Sequence, residues 1–355
     1  MRRTPIVTPS VPRPVAAVVN SSPGAVAHGR VLVTGAAGFI GSHLVEALLR
    51  SGHQVLGVDR RAPTDNAMAR VNLAGSLGDA RFTFAPLDLV ADDLVDAVAD
   101  CGAVFHLAGI PGVRASWGER FGDYVAANIM GTARLLNACE QAKVGRLVFA
   151  SSSSVYGSVE GPSRETDATR PISPYGVTKL AAEQLCLAHS RRLDTGLVVC
   201  ALRYFTVYGP RQRPDMAIGR VLTAALDDVP IELYGDGGQR REFTYVSDVV
   251  TATMAAARVP APPPIVNVGG GASVTMSDVL KLAEELTGRP VPVVSAAAQA
   301  GDVTATEADL TLARAALDYQ PVVGLEDGMA RHLRWLETVG PQQRRALLHP
   351  PGRPR

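Results

Sequence analysis

Tyr175 and Lys179, in the stretch SPYGVTK, stand four residues apart and share one face of any helix that carries them. A phenol beside a lysine ammonium is a proton-transfer pair. Free tyrosine titrates near about pH 10 and is a poor base at neutrality. A neighbouring cation, or an oxidised nicotinamide, favours the phenolate and lowers that value. YxxxK alone is common by chance and often marks a surface pair, so its surroundings must give it meaning. Upstream, FASSSSVYG at 149–157 reads as a buried strand that opens into serines, Ser151 to Ser154. A hydroxyl there can hydrogen-bond the same substrate oxygen whose proton the phenol takes. The four together, serine, tyrosine, lysine and a strand to aim them, form a hydride-transfer site once a dinucleotide is at hand.

The dinucleotide signal lies near the start. Gly35, Gly38 and Gly41 in TGAAGFIG form GxxGxxG, preceded by the apolar run Val31–Val33 and followed by Leu44, Val45, Leu48 and Leu49 at helical spacing. Such a turn brings the backbone against a pyrophosphate and points a helix N-terminus at it. The next apolar run, Val55 to Val58, ends in Asp59, which can accept from a ribose 2′-OH and would repel a 2′-phosphate. NAD is therefore expected, with Arg60 and Arg61 leaving some room for NADP.

These residues need a frame. Strands are expected in RFTFAPLD (81–88), AVFHLAG (103–109), RLVFASS (146–152) and LVVCALRYF (197–205), with helices over 121–142 and 174–192. Alternation of this kind implies βαβ units and an α/β fold: a Rossmann-type, doubly wound parallel sheet. Beyond Gly209 the rhythm changes to short elements and Pro-rich links, as expected of a smaller C-terminal α/β substrate lobe. The expected division is a disordered tail at 1–29 and an NAD-binding domain at 30–205, with 243–268 returning to it. A substrate lobe at 206–338 and a flexible tail at 339–355 complete it.

Bulk properties exclude other classes. The chain has 355 residues, a formal net charge of +1 and 46% hydrophobic residues. Charge so balanced gives no footprint for nucleic acid or an anionic membrane surface. No segment reaches the length of a membrane span, and Val15 to Val19 is too short for a signal-peptide core. Cys101, Cys139, Cys186 and Cys200 are scattered without ligand spacing, so no metal site is expected. Reduced thiols in a cytoplasmic enzyme are the simplest reading.

With those motifs in view, the chain resembles the extended short-chain dehydrogenase/reductases, in the NAD-dependent sugar-nucleotide epimerase/dehydratase family. TGAAGFIG, Asp59, Asp88-Leu89, HLAG, Asn128 in NIMGT, SSSSVYG, YGVTK, RYFTVYGP and YGDGGQRREFTYVSDVV carry the resemblance, from about Arg30 to Leu336. It implies Ser152, Tyr175 and Lys179 as the catalytic set, with Tyr175 the base and Lys179 also on the nicotinamide ribose. It implies a cofactor pocket of Gly35, Gly38, Phe39, Ile40, Gly41, Asp59, Arg60, Asp88, Leu89, Leu107, Ala108 and Asn128. It implies Arg241 near the nucleotide diphosphate, and a homodimer through the helices at 121–142 and 174–192.

Within that family, dehydratases carry Asp-Glu after the catalytic Ser/Thr, where this chain has Ser153 and Ser154. Decarboxylases forming UDP-xylose carry Glu at the Ser154 place, and many neutral-sugar epimerases carry Asn at the Thr206 place. FTVYGP with RPDMA is similar to the UDP-glucuronate 4-epimerases. That similarity implies Ser152, Ser153, Ser154 and Thr206 around the sugar carboxylate and Arg213 on the phosphates, with Arg114 of PGVRASW near the sugar. Arg211 stays without a role. Relatives carry Arg-Pro-Gly-Asp where this chain has Gln299-Ala300-Gly301-Asp302, so one phosphate-facing arginine is missing. The expected reaction is 4-epimerisation of UDP-glucuronate. UDP-glucose or UDP-GlcNAc 4-epimerisation is the alternative, then decarboxylation, then an NAD sensor without turnover.

Overall fold

The structure, a computed structural model, describes residues 29–192, 194–297, 305–341 and 344. Most of the two expected tails, and Gln299 to Asp302, lie outside the described residues.

The chain opens with β1 (Arg30–Thr34), α1 (Phe39–Arg50), β2 (Gln54–Val58), α2 (Ala67–Leu73), β3 (Phe82–Ala85), α3 (Val95–Val98) and β4 (Ala103–His106). A helical stretch follows, α4 (Phe121–Tyr124), a π-helical segment Val125–Met130 and α5 (Gly131–Gln141). Then come β5 (Arg146–Ser152), α6 (Pro174–Ser190) and β6 (Val198–Tyr204). These strands, joined later by β10 (Ile265–Val268), make one seven-stranded sheet in the order β10-β6-β5-β4-β1-β2-β3. Every pair in it is parallel. The order reverses between β1 and β4, and that switch point is where such sheets bind ligands.

Both faces of the sheet are covered, which is why its strands read as unbroken apolar runs. Val31 and Val33 pack with Leu44, Val45 and Leu48 of α1, and Val249 and Ala252 of α8 (Val246–Arg258), on one side. Leu32 packs with Leu135, Leu136 and Cys139 of α5, and Ala182 and Cys186 of α6, on the other. All four cysteines are buried and unpaired, as packed thiols should be.

The strand expected over 197–205 is β6, after which the chain changes sheet. β6 ends at Tyr204, the Phe205 amide donates to Val268 O at 2.9 Å, and Thr206 starts β7 (Thr206–Tyr208) in another sheet. β7 lies parallel to β9 (Arg240–Tyr245), which pairs antiparallel with β11 (Ser273–Thr275). Around them stand α7 (Ala217–Asp227), β8 (Ile231–Tyr234) parallel to β12 (Val293–Ala296), and α9 (Met276–Thr287). α10 (Thr311–Leu317) and α11 (Leu325–Thr338) complete the smaller lobe. The helix expected over 121–142 is interrupted by its π segment, a feature that often marks functional sites.

One ion pair ties the catalytic helix to the sheet. Glu183 of α6 accepts from Arg203 of β6 through both oxygens, Nη2 at 2.7 Å and Nε at 3.0 Å, and from Ser151 Oγ at 2.6 Å. The side chains of Arg203 and Glu183 are 2% and 0% exposed. Breaking a buried pair costs about 3–5 kcal/mol, whereas replacing both partners by apolar groups of similar volume costs far less. Glu183→Ala is expected to lower unfolding free energy by about that amount in urea titrations, and Glu183→Met/Arg203→Met to restore most of it. Equal loss in both variants would show that the pair matters only for packing.

Candidate active site

At the switch point, Gly35 turns the chain with φ of +70°, and a Cβ there would lie 2.8 Å from Ala108 N. A Cβ on Gly41 would run into Gly35 O, and one on Gly38 would stand 3.0 Å from it. Only glycines allow so close a turn. Gly38 caps α1 without a side-chain bond, so the first amides of the helix, from Phe39 and Ile40 onward, are left for an anion. Asp59, at the end of β2, is buried, and its carboxylate accepts from Arg61 N at 3.0 Å, Nε at 3.2 Å and Nη2 at 3.3 Å. It is Arg61 that reaches the glycine turn, while Arg60 is exposed. On the next strand end, Asp88 Oδ1 accepts from Val90 N at 2.9 Å and Leu89 is buried. Leu107 and Ala108 follow β4, with their amides on Thr34 O at 3.2 Å and Thr34 Oγ1 at 3.1 Å. A glycine cradle, an uncapped helix end and an acid on the neighbouring strand fit NAD.

Asn128, expected beside the cofactor, is held by the loop after β4 and by α6. Its Oδ1 accepts from Ile110 N at 2.7 Å, and its Nδ2 donates to Ile110 O at 3.1 Å and Thr178 Oγ1 at 3.0 Å. The side chain joins the loop after β4 to α6.

Ser173 caps α6 by accepting from Gly176 N at 3.1 Å, and Pro174 sits in the first turn. The first turns of that helix then carry Tyr175 and Lys179 toward the end of β5. The Ser152 hydroxyl acts on the Tyr175 phenol. Burial pushes that phenol up, while the Ser152 bond and the Arg213 charge draw it down. Lys179 Nζ donates to Ala150 O at 2.5 Å and lies 4.2 Å from the Phe149 ring centroid. Burial lowers its pKa to about 8, against the pull of the Glu183 carboxylate. Ser152 Oγ accepts from Ser154 N at 3.1 Å, turning Ser153 and Ser154 into a short 3₁₀ segment just past the strand. Ser152 pairs in register with Tyr204, so the serines and Thr206 leave the sheet at the same end on neighbouring strands.

Two residues here carried no signal in the sequence. Tyr124 is fully buried, its ring edge-on to Tyr175 at 6.4 Å, and its hydroxyl donates to Pro111 O at 3.2 Å and Gly112 O at 3.1 Å. Ser116 Oγ accepts from Tyr175 N at 3.0 Å. Both tie the 111–117 loop to Tyr175, and neither residue was singled out in the sequence.

The arginines divide. Arg213 makes a bidentate pair with Asp215 at 3.0 and 2.7 Å and still acts on Tyr175. Arg211, which had no role, binds Glu46 at 2.5 Å and Ser42 Oγ at 3.3 Å and so fastens its loop to α1. Arg114 stacks on the Tyr234 ring at 3.9 Å, bridging to β8. Arg241 Nη1 donates to Arg240 O at 2.9 Å.

Tyr175→Phe removes the phenol hydroxyl and keeps the ring. Turnover is expected to fall by about 10²–10⁴-fold, with NAD affinity, read by intrinsic fluorescence, within about threefold of the parent. Loss of both together would place Tyr175 in binding alone.

The comparisons agree with this geometry. Residues 31–269 match the NAD dependent epimerase/dehydratase family. A Bacillus subtilis protein described as an uncharacterized UDP-glucose epimerase is 42% identical over 87% of this chain and 98% of its own. The structure of MoeE5 with UDP-glucose and NAD is 47% identical, with a TM-score of 0.80 over 87% of this chain and 99% of that one. MoeE5 has also been solved with UDP-glucuronic acid and NAD. The UDP-glucuronic acid 4-epimerase of Bacillus cereus, bound to UDP-glucuronic acid and NAD, is 39% identical, with a TM-score of 0.83 over 88% of this chain and all of that one. The chain belongs to the NAD-dependent epimerase/dehydratase family, as an enzyme of the epimerase kind with NAD as its cofactor.

Proposed function

We propose that this enzyme is a UDP-sugar 4-epimerase whose substrate pair is UDP-glucuronate and UDP-galacturonate. The observation that carries the reading is the set of hydroxyls beside the base. Ser152, Ser153, Ser154 and Thr206 stand at one edge, where a dehydratase or decarboxylase would bring carboxylates. The Arg213 charge acts on the same phenol. Two of the solved relatives hold UDP-glucuronic acid, which supports the same substrate.

NAD, when bound, supplies the acceptor and later the donor of a hydride at C4. Tyr175 takes the proton of the 4-hydroxyl and gives it back, while Ser152 holds that oxygen. The charge of Lys179 and that of Arg213 favour the phenolate form between the two steps. The 4-keto uronate is a β-keto acid and prone to lose CO2. Hydroxyl hydrogen bonds to its carboxylate hold the C5–C6 bond away from alignment with the carbonyl. Cations on the phosphates would be Arg213 and Arg241.

A homodimer belongs to the same reading. Trp117, Phe121, Ile172 and Val177 are large, exposed and contiguous around a shallow apolar groove beside α4 and α6, as a second copy would require. Light scattering should give twice the chain mass; a monomer at micromolar concentration would remove this part.

The substrate is tested by following UDP-glucuronate by NMR with no NAD added. UDP-galacturonate is expected to form to equilibrium, with little UDP-pentose. Turnover of UDP-glucose or UDP-GlcNAc without any of the uronate would overturn the assignment. Thr206→Asn should lower uronate turnover about tenfold or more, the worth of one good hydrogen bond to a charged group. NAD binding should hardly change.

A further inference from the structure

His106 lies at the end of β4, fully buried, and belongs to none of the roles assigned above. Its Nδ1 is 2.8 Å from Thr34 Oγ1 and its Nε2 is 2.9 Å from Thr132 Oγ1. The neighbouring bonds decide which nitrogen carries the proton. Thr132 Oγ1 donates its only hydrogen to Asn128 O at 2.6 Å, so toward His106 it must accept, and Nε2 bears the hydrogen. Nδ1 is then an acceptor, and Thr34 donates to it. Thr34 in turn accepts from Ala108 N at 3.1 Å. Every hydrogen in the chain has one direction.

That chain continues to the catalytic helix. Asn128, whose carbonyl receives the Thr132 hydroxyl, donates from Nδ2 to Thr178 Oγ1 at 3.0 Å, and Thr178 donates to Tyr175 O at 2.9 Å. Thr34, His106, Thr132, Asn128 and Thr178 are each no more than 2% exposed, so no water stands in for a missing partner. One end of this line is the residue before Gly35, and the other is the backbone of the proposed base. Both cradle residues after β4, Ala108 directly and Ile110 through Asn128, hang from it.

We propose that His106 is a positioning residue that couples the cofactor's glycine turn to the helix bearing Tyr175 and Lys179. It rests on the assignment of Tyr175 as the base. The imidazole must be neutral to do this, because a second ring hydrogen would leave the Thr34 hydroxyl without its acceptor. Burial, with the Lys179 charge nearby, holds the pKa of His106 at about 3, so the ring stays neutral at working pH.

Two experiments test the coupling. Thr132→Val keeps shape and removes the hydroxyl, which leaves the His106 Nε2–H without its acceptor. Assayed well below its unfolding temperature, this variant should show a kcat about tenfold lower with KM changed less than about threefold, and Thr132→Ser should recover most of kcat. A folded Thr132→Val enzyme with the kcat of Thr132→Ser would overturn the proposal. An inactive parent enzyme would instead discredit the substrate assignment and leave the second measurement standing. That measurement is nitrogen-15 NMR of the unaltered protein, which also serves if the valine variant does not fold. His106 should show the Nε2–H tautomer without titration from about pH 5 to 9. The Nδ1–H tautomer, or a ring that titrates in that range, would reverse the chain of bonds and overturn the coupling.

Discussion

A parallel sheet covered by helices on both faces can do chemistry only at its carboxyl edge, and this constraint organises the whole molecule. The faces are filled by Val31, Val33, Leu44 and Val249 on one side and by Leu32, Leu136 and Cys186 on the other. What remains open is the row of loops after β1, β2, β4, β5 and β6. The glycine turn, Asp59, Ala108, Ser152 and Thr206 each follow one of those strands. Their mutual positions are therefore set by strand register, and Ser152 is fixed against Tyr204 before any side-chain contact is made. The catalytic helix is the one part that register does not place. α6 is brought in by the Glu183–Arg203 pair and by the Thr178–Asn128 bond, one at each end of the turn that carries Lys179.

Burial acts against the proposed acid–base pair from both sides. It raises the phenol of Tyr175 and lowers the ammonium of Lys179, so each is driven toward its neutral form. A working phenolate then depends on positive charge that burial does not remove. Among the described residues the Arg213 charge and the Ser152 hydroxyl draw the phenol toward its anion. The arrangement explains why Arg213 is held by Asp215 without being hidden: it stays half-exposed, able to face both the base and a phosphate. Full burial would have required neutralising it.

Much of this was legible in the residues. Helical spacing located α1 and α6, continuous apolar runs located the buried strands, and GxxGxxG with Asp59 located the cofactor turn. The order of elements implied the sheet. The break at Phe205 was not legible, because an aromatic residue in a run of apolar ones looks like more strand. Only the tertiary bond from Phe205 N to Val268 O shows that the chain leaves one sheet there and joins another. Nor could the parts played by Tyr124, Ser116, Glu183 or His106 be picked out, since each acts through partners between 12 and 72 residues distant in sequence. Asn128 was legible only in part: its motif pointed to the cofactor, while the bonds by which its amide joins Ile110 to Thr178 carry no signal in the sequence.

The stretch RYFTVYGPRQRPDM shows how close neighbours acquire separate tasks. Arg211 has a positive φ of 66°, an unfavourable conformation for a residue with a Cβ. Its guanidinium binds Glu46 and Ser42 on α1, which compensates the backbone and anchors the loop beneath the cofactor turn. Because that anchor fixes the chain, Arg213 two residues on is presented to the phenol, and its side chain can answer to the ligand. Thr206, at the other end, begins a strand of the smaller lobe while following directly on the strand that fixes Ser152. A hydroxyl there belongs to both lobes at once. In the proposed reaction a neutral hydroxyl there could both accept from and donate to the sugar.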